Sequence, residues 1–151
     1  MSMTQNAVVD KTDTYDAPSV GRRELLNAIY QGSPEELYLE LRCIHPTTGE
    51  ARSLWGRMGN KTELAAALKQ AEALNREGFG VYFAPCLRKG KQGKAEAAAL
   101  VPALWVDIDC DSDAKERDEG LQKLQDFDPA PSFIIDSGGG WHGYWLLDEP
   151  F

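Results

Sequence analysis

The stretch that decides the fold is Leu104-Trp105-Val106-Asp107-Ile108-Asp109, an apolar run that ends in two acids one residue apart. Side chains at alternate positions of a β-strand share a face, so the two acids would stand side by side, with Cα atoms roughly 6.5–7 Å apart. The three aliphatic residues of the run are then expected to point the other way, into a core. Two like charges this close repel, and a divalent cation between them would relieve the repulsion.

A second polar cluster, Ser137-Gly138-Gly139-Gly140-Trp141-His142, lies further along the chain. Three consecutive glycines leave backbone N–H groups unshielded and tolerate positive φ, which suits an anion-binding nest. Ser137 can add a hydroxyl donor, and His142 can donate to a phosphate or to a metal-bound water. A lone histidine is more often structural and a glycine run more often a flexible hairpin. The functional interpretation therefore requires that the two clusters meet.

Composition narrows the class of protein. The 151 residues, 42% of them hydrophobic and 9% aromatic, are enough for one globular domain. No apolar run approaches the roughly 20 residues that span a membrane, and the N-terminus lacks the order of a signal peptide. A cytoplasmic protein without a membrane partner is the expectation. Three cysteines without C-x-x-C spacing argue against a disulfide framework or a structural zinc site.

Charge is distributed unevenly along the chain. The formal net charge of −8 argues against a generally basic surface for nucleic acid. Residues 107–128 carry nine acids against three bases, whereas residues 87–95 carry four bases and no acid. An acidic centre near a short basic loop suits a metal-dependent site that handles phosphates, although either segment alone is more simply a solvated surface.

Hydrophobic periodicity predicts an α+β fold whose first half has the order α-β-β-α-β. Residues 1–19 are polar and aperiodic and are expected to form a flexible tail before one domain over residues 20–151. The predicted elements are a helix over 21–31, hairpin strands over 37–44 and 51–58, a helix that Asn60 begins, and a strand over 80–85.

The second half is predicted to have the order β-α-β-β, which resembles part of a ferredoxin-like or RNA-recognition-type sheet. A loop over 86–95 and a brief helical turn over 96–100 would join the two halves. The predicted elements are a strand over 102–109, a helix over 113–127, and strands over 132–136 and 141–147.

The acid pair has the chemistry of a magnesium site. Two strand-borne carboxylates can hold one or two Mg²⁺ ions, which prefer oxygen ligands and keep positions open for water and phosphate. Two ions could bridge the attacking and leaving oxygens of a phosphoryl displacement. Asp111 continues the alternate spacing as a candidate accessory ligand, whereas Asp113 is better placed to cap the following helix. Acids at a strand end can also be merely solvated.

Together, the two clusters resemble the first two motifs of the primase–polymerase superfamily, with the RepB-like replication primases of plasmids, phages and mobile elements as the nearest type. Those motifs are an apolar strand ending in D-x-D and a later strand that carries serine and histidine, matched here by residues 106–109 and 137–145. Segments like Val81–Arg88 and Pro131–Asp136 commonly precede them. The resemblance is firm over residues 79–150 and weak before that.

The resemblance implies a nucleotidyltransferase that makes primers on a DNA template from nucleoside triphosphates, with Mg²⁺ or Mn²⁺ and alongside a helicase domain or protein. It would make Asp107 and Asp109 metal ligands, and it would place Ser137 and His142 against the incoming triphosphate, with His142 also counted as catalytic. The remaining candidates for binding nucleotide, phosphate or template are Gly138, Gly139, Gly140, Arg88, Lys91 and Lys94.

One motif of the family has no counterpart. An acid on a later strand completes the metal site in that superfamily, and no residue after Leu147 matches it. The sequence is therefore expected to be the N-terminal part of a primase–polymerase domain that binds metal weakly and is inactive alone. Two alternatives stay open. One is a non-catalytic module that binds nucleotide or single-stranded nucleic acid, and the other, with less support, is a magnesium-dependent phosphohydrolase with Asp107 as nucleophile.

Overall fold

The computed structural model describes residues 7–9, 18–110 and 113–151, and these form two compact units. The first unit comprises the described residues up to Gln31 together with Pro102–Glu149, and the second comprises Gly32–Val101 and Pro150–Phe151. The sequence predicted one domain over residues 20–151. Each unit has its own sheet, one of four strands and the other of five, and the described strands pair only within their unit.

The described residues have an α+β architecture, as the sequence predicted. In chain order the elements are β1 (Ala7–Val9), α1 (Pro18–Tyr30), β2 (Tyr38–Ile44), β3 (Ala51–Arg57), α2 (Lys61–Arg76), β4 (Gly80–Phe83), β5 (Leu87–Arg88), a 3₁₀ turn (Ala95–Ala97), β6 (Ala98–Leu100), β7 (Ala103–Asp109), α3 (Ala114–Gln125), β8 (Phe133–Asp136) and β9 (Gly140–Leu146).

The first unit is built on a four-stranded sheet with the order β1-β8-β9-β7. Strand β9 is antiparallel to both β7 and β8, so β7 and β8 run parallel with α3 as their crossover. This is the split β-α-β arrangement of ferredoxin-like sheets, which the sequence predicted. Strand β1 pairs parallel with β8, and α1 begins at Pro18. Regular structure therefore extends into residues 1–19, where a flexible tail was predicted.

Helix α3 covers one face of this sheet. Leu124, Ile134 and Trp141 form the buried cluster, and Ile108 and Trp145 pack against it. The indole N–H groups of the two tryptophans donate to the carbonyls of Arg117 and Pro129, at 2.9 and 2.7 Å. Trp141 is therefore a core residue and Trp145 is partly buried against that core, on the face that the alternation along β9 predicted.

The sequence predicted that Leu104, Val106 and Ile108 on β7 all point into a core, and this prediction is wrong. Leu104 and Val106 are 47% and 38% exposed, and only Ile108 packs against the buried cluster. The reason is the position of β7, which is last in the strand order. Its outer edge has no paired strand in the described part of the chain.

The second unit contains the predicted hairpin, since β2 and β3 pair antiparallel from Tyr38↔Arg57 to Ile44↔Ala51. Helix α2 packs against this hairpin. It begins as predicted, with the Asn60 side chain accepting the Glu63 N–H at 3.0 Å. The basic segment predicted as a loop contains the short strand β5, and the helical turn predicted after it is a 3₁₀ turn followed by β6. Across the described ranges, no helix combines the length and the apolar character that crossing a membrane requires.

We expect Gly140→Ala to destabilise the first unit and Gly139→Ala not to do so. A Cβ at Gly140 would run into the Ile108 carbonyl on the neighbouring strand, whereas a Cβ at Gly139 would meet nothing within 4 Å. The first substitution should lower the free energy of unfolding by about 2 kcal/mol or more, because backbone must shift to admit the methyl group. Denaturant unfolding of both variants measures this, and equal stabilities would contradict the close approach.

Candidate functional site

Antiparallel pairing of β7 with β9 brings the two polar clusters together. Asp107 lies directly opposite His142, and Asp109 lies opposite Gly140, the last of the three glycines. The shortest side-chain contact joins Asp107 Oδ1 to His142 Nε2, at 3.2 Å. Both side chains reach solvent, with 55% of Asp107 and 31% of His142 exposed. The face opposite α3 thus carries a carboxylate and an imidazole that a ligand can reach.

The second nitrogen of His142 faces a buried phenol. Nδ1 lies 3.4 Å from the Tyr144 hydroxyl, at the long end for a hydrogen bond. Burial, with a smaller contribution from the Asp107 charge, raises the pKa of Tyr144 to about 12. The phenol therefore keeps its proton at neutral pH. With Asp107 accepting from Nε2–H, a neutral His142 has its Nδ1 lone pair free to accept from the phenol. The buried Tyr144 hydroxyl is thus placed where it can orient the imidazole.

The glycine run forms the tight turn between β8 and β9. Gly138 has a φ of +88°, a conformation that glycine adopts readily and that suits the first loop position of a two-residue hairpin. The Ser137 N–H donates to the Gly140 carbonyl at 3.0 Å, and the Gly138 N–H donates to Asp136 Oδ1 at 2.7 Å. One of the three glycine amides expected to form an anion nest, that of Gly138, is therefore engaged within the turn, while a Cβ at Gly139 would meet nothing within 4 Å.

Arg117, on α3, ties this turn to the helix. Its guanidinium contacts Asp136 Oδ2 at 2.8 Å and the Gly138 carbonyl at 3.2 Å. The guanidinium carbon also lies 5.2 Å from the Trp141 ring centre, a cation–π distance. Sequence reasoning missed Arg117, because its three partners lie about twenty residues further along the chain and only the fold brings them to its side chain.

The basic residues predicted to bind phosphate or template belong to the second unit, where two of the three have internal ionic partners. Arg88 Nε lies 3.1 Å from Glu40 Oε2, and Arg88 Nη1 donates to the Lys94 carbonyl at 2.8 Å. Lys91 Nζ lies 2.7 Å from Glu63 Oε1, and this hydrogen bond raises the pKa of the lysine. The Lys94 side chain is exposed.

Glu40 explains why Arg88 is held inside. This glutamate is 3% exposed, and its Oε1 accepts from the Ser53 hydroxyl at 2.8 Å. Arg88 Nε is itself buried and is not aligned to donate a hydrogen bond to any described residue. The pair at 3.1 Å is therefore mainly a charge pair, and a buried carboxylate needs such a counter-charge.

Oxygen donors for a cation are concentrated on β7. Asp107 and Asp109 share the exposed face, as the sequence predicted, and Asp113 caps α3 by accepting the Lys115 N–H at 2.9 Å. Asp111, the candidate accessory ligand, lies outside the described residues. Within the described ranges, no group of three or more metal-binding side chains comes together. Two carboxylates nevertheless suit Mg²⁺, which retains water and binds substrate phosphate beside one or two carboxylates.

Arg117→Ala should loosen the glycine turn and lower the free energy of unfolding by about 1.5–3 kcal/mol, the usual range for hydrogen bonds to charged groups. Arg117→Lys should recover only part, because an ammonium cannot reproduce the planar fork. Lys115→Ala is the matched control on the same helix, since the Lys115 side chain forms an exposed pair with Glu119 at 3.7 Å. Thermal unfolding compares the three, and equal effects of Arg117→Ala and Lys115→Ala would contradict the anchoring role.

Arg88→Ala should destabilise the second unit by about 3 kcal/mol or more, because it leaves the Glu40 carboxylate buried without a counter-charge. Lys91→Ala should change stability little, since Lys91 is half exposed and pairs at the surface. Denaturant unfolding monitored by circular dichroism tests both. A stable Arg88→Ala protein that had lost nucleic-acid binding would instead favour the role predicted from the sequence.

Comparison with protein-family models, with curated proteins and with solved structures finds no match for this chain. The resemblance to primase–polymerases thus remains a prediction from the two motifs. What the structure contributes is their geometry: a carboxylate pair on an edge strand, a histidine directly across from it, and a glycine turn beside it.

Proposed function

We propose that the first unit binds a nucleoside triphosphate with Mg²⁺ or Mn²⁺ and that the protein acts in template-dependent nucleotidyl transfer, as in primer synthesis for a plasmid, phage or mobile element. The observation that carries this proposal is the pairing of β7 with β9. It sets Asp107 against His142 and Asp109 against Gly140 on one accessible sheet face.

Each side chain has a role that follows from its chemistry. Asp107 and Asp109 would hold the divalent ion, which supplies charge neutralisation at the phosphates when it is bound. His142 can donate Nε2–H to a phosphate oxygen once Asp107 turns to the cation, and Tyr144 keeps the ring oriented. The Gly139 N–H, in a turn with open space around the glycine, and the Ser137 hydroxyl are the remaining candidate donors to the triphosphate. We do not include Arg88 in this site, because its guanidinium neutralises the buried Glu40 carboxylate in the second unit.

The runner-up is a module that binds nucleotide or single-stranded nucleic acid without catalysis. One observation favours it: two carboxylates without a third ligand in the described residues make a weak metal site. The two functions differ in their need for a metal ion. A catalytic site binds triphosphate only with Mg²⁺ or Mn²⁺, whereas a binding module would hold nucleic acid in the presence of EDTA.

Asp107→Asn and Asp109→Asn should each weaken Mn²⁺ binding about tenfold or more and reduce metal-dependent nucleotide incorporation on a primed DNA template at least as much. Electron paramagnetic resonance of free Mn²⁺ measures the first quantity directly, so the test does not depend on turnover. Asp118→Asn, an exposed acid on α3, removes the same charge without touching the site and should leave both quantities unchanged. Equal Mn²⁺ affinity in all the variants would rule out the proposed metal site.

A further inference from the structure

The face that carries Asp107 and His142 also carries a row of aromatic residues. Across the sheet, Ile135, His142 and Asp107 form one cross-strand row. The next row consists of Phe133, Tyr144 and Trp105. Two residues separate the rows along each strand, so Trp105 lies roughly 6.5–7 Å from Asp107 along β7 and on the same face.

Trp105 differs from the tryptophans of the α3 side. It is 51% exposed, whereas Trp141 is 9% exposed, and the indole N–H groups of Trp141 and Trp145 are bound to backbone carbonyls. Tyr144, the neighbour of Trp105 in the row, is buried. Within the described residues, the indole of Trp105 has neither a ring partner nor a hydrogen bond. Its indole therefore presents an aromatic face to solvent at the open edge of the sheet.

An exposed tryptophan at this point is available to a ligand. Burying a large aromatic side chain is among the strongest apolar contributions to stability, and leaving one half exposed forgoes much of it. Aromatic side chains on sheet faces stack unpaired nucleobases, an interaction that accepts any base because every base has a π-face. Such tolerance suits a site that must take all four nucleotides. A separation of two strand residues is also comparable to the distance from a base to its own phosphate.

We propose that Trp105 is the stacking platform for a nucleobase whose phosphates lie at Asp107 and His142. This inference rests on the proposed function, because it takes the polar row as the phosphate end of the ligand. The base lies against the indole, the sugar crosses the gap between the two rows, and the phosphates reach the acid pair and the imidazole. The ligand is a nucleotide unit, which either a free nucleoside triphosphate or a single-stranded nucleic acid can supply.

The test compares ligands with and without a base. We expect Trp105→Ala to weaken binding of a nucleoside triphosphate in Mg²⁺ about tenfold, the middle of the range for base–aromatic stacking, and to leave binding of inorganic triphosphate unchanged. Trp105→Phe should restore most of the affinity, since a phenyl ring still stacks. Leu104→Ala is the matched control, because Leu104 is 47% exposed on the same strand but faces the opposite side. Quenching of tryptophan fluorescence in the wild type and calorimetry in the variants measure these affinities.

A second experiment measures binding of a single-stranded oligothymidylate in EDTA to wild type and to Trp105→Ala. It decides whether the stacked base belongs to a free nucleotide or to a nucleic-acid strand. A tenfold loss confined to the nucleoside triphosphate assigns Trp105 to the incoming nucleotide, and a loss confined to the oligonucleotide assigns it to the nucleic-acid strand. Equal affinities of wild type and Trp105→Ala for both ligands would overturn the stacking proposal. Failure of the proposed function looks different, since wild type would then bind inorganic triphosphate no better in Mg²⁺ than in EDTA.

Discussion

Everything at the candidate site depends on the register between β7 and β9. Because side chains alternate along a strand, a slip of one residue would send Asp107 and Asp109 to the α3 side and would separate Asp107 from His142. The opposite face enforces the register. Gly143 allows Leu124 to approach to within 2.9 Å of the position where a Cβ would stand, and the Trp141 indole is fixed by its bond to α3. Apolar packing on the α3 face of the sheet thus fixes the positions of Asp107, Asp109 and His142 on the other face.

The two units treat charge in contrasting ways. In the second unit, Glu40 is withdrawn from water and neutralised by Arg88, which makes it part of the core. In the first unit, the acids of β7 stay on the accessible face, and among the described residues Asp107 contacts an imidazole that can turn elsewhere. A buried charge pair is expensive to disturb, whereas an exposed and weakly paired acid is available to a ligand. This contrast is why the acid pair, and not the basic segment, is the candidate site.

Interactions between residues close in the chain could be predicted from the sequence, and contacts between residues far apart in the chain could not. Asn60 and Asp113 were identified as caps because a cap acts on amides two or three residues away, and the α2 periodicity fixed that helix. The partnership of Glu40 with Arg88 joins distant strands, and alternation along β2 could only suggest a surface position for Glu40. The exposure of Leu104 and Val106 escaped prediction for a similar reason, since a strand's pattern does not reveal whether it lies at the centre or the edge of its sheet. Strand β1, with three residues, is too short to show a period.

The outer edge of β7 has a consequence for how the molecule meets other chains. A strand edge without a neighbour offers a ladder of amide and carbonyl groups that any extended segment can join, and apolar side chains beside it add adhesion. Acidic side chains on such an edge discourage this through mutual repulsion between copies. A cation held at Asp107 and Asp109 would remove that repulsion. Binding of the proposed cation would therefore favour self-association, and without the cation the two charged carboxylates would discourage pairing between copies at this edge.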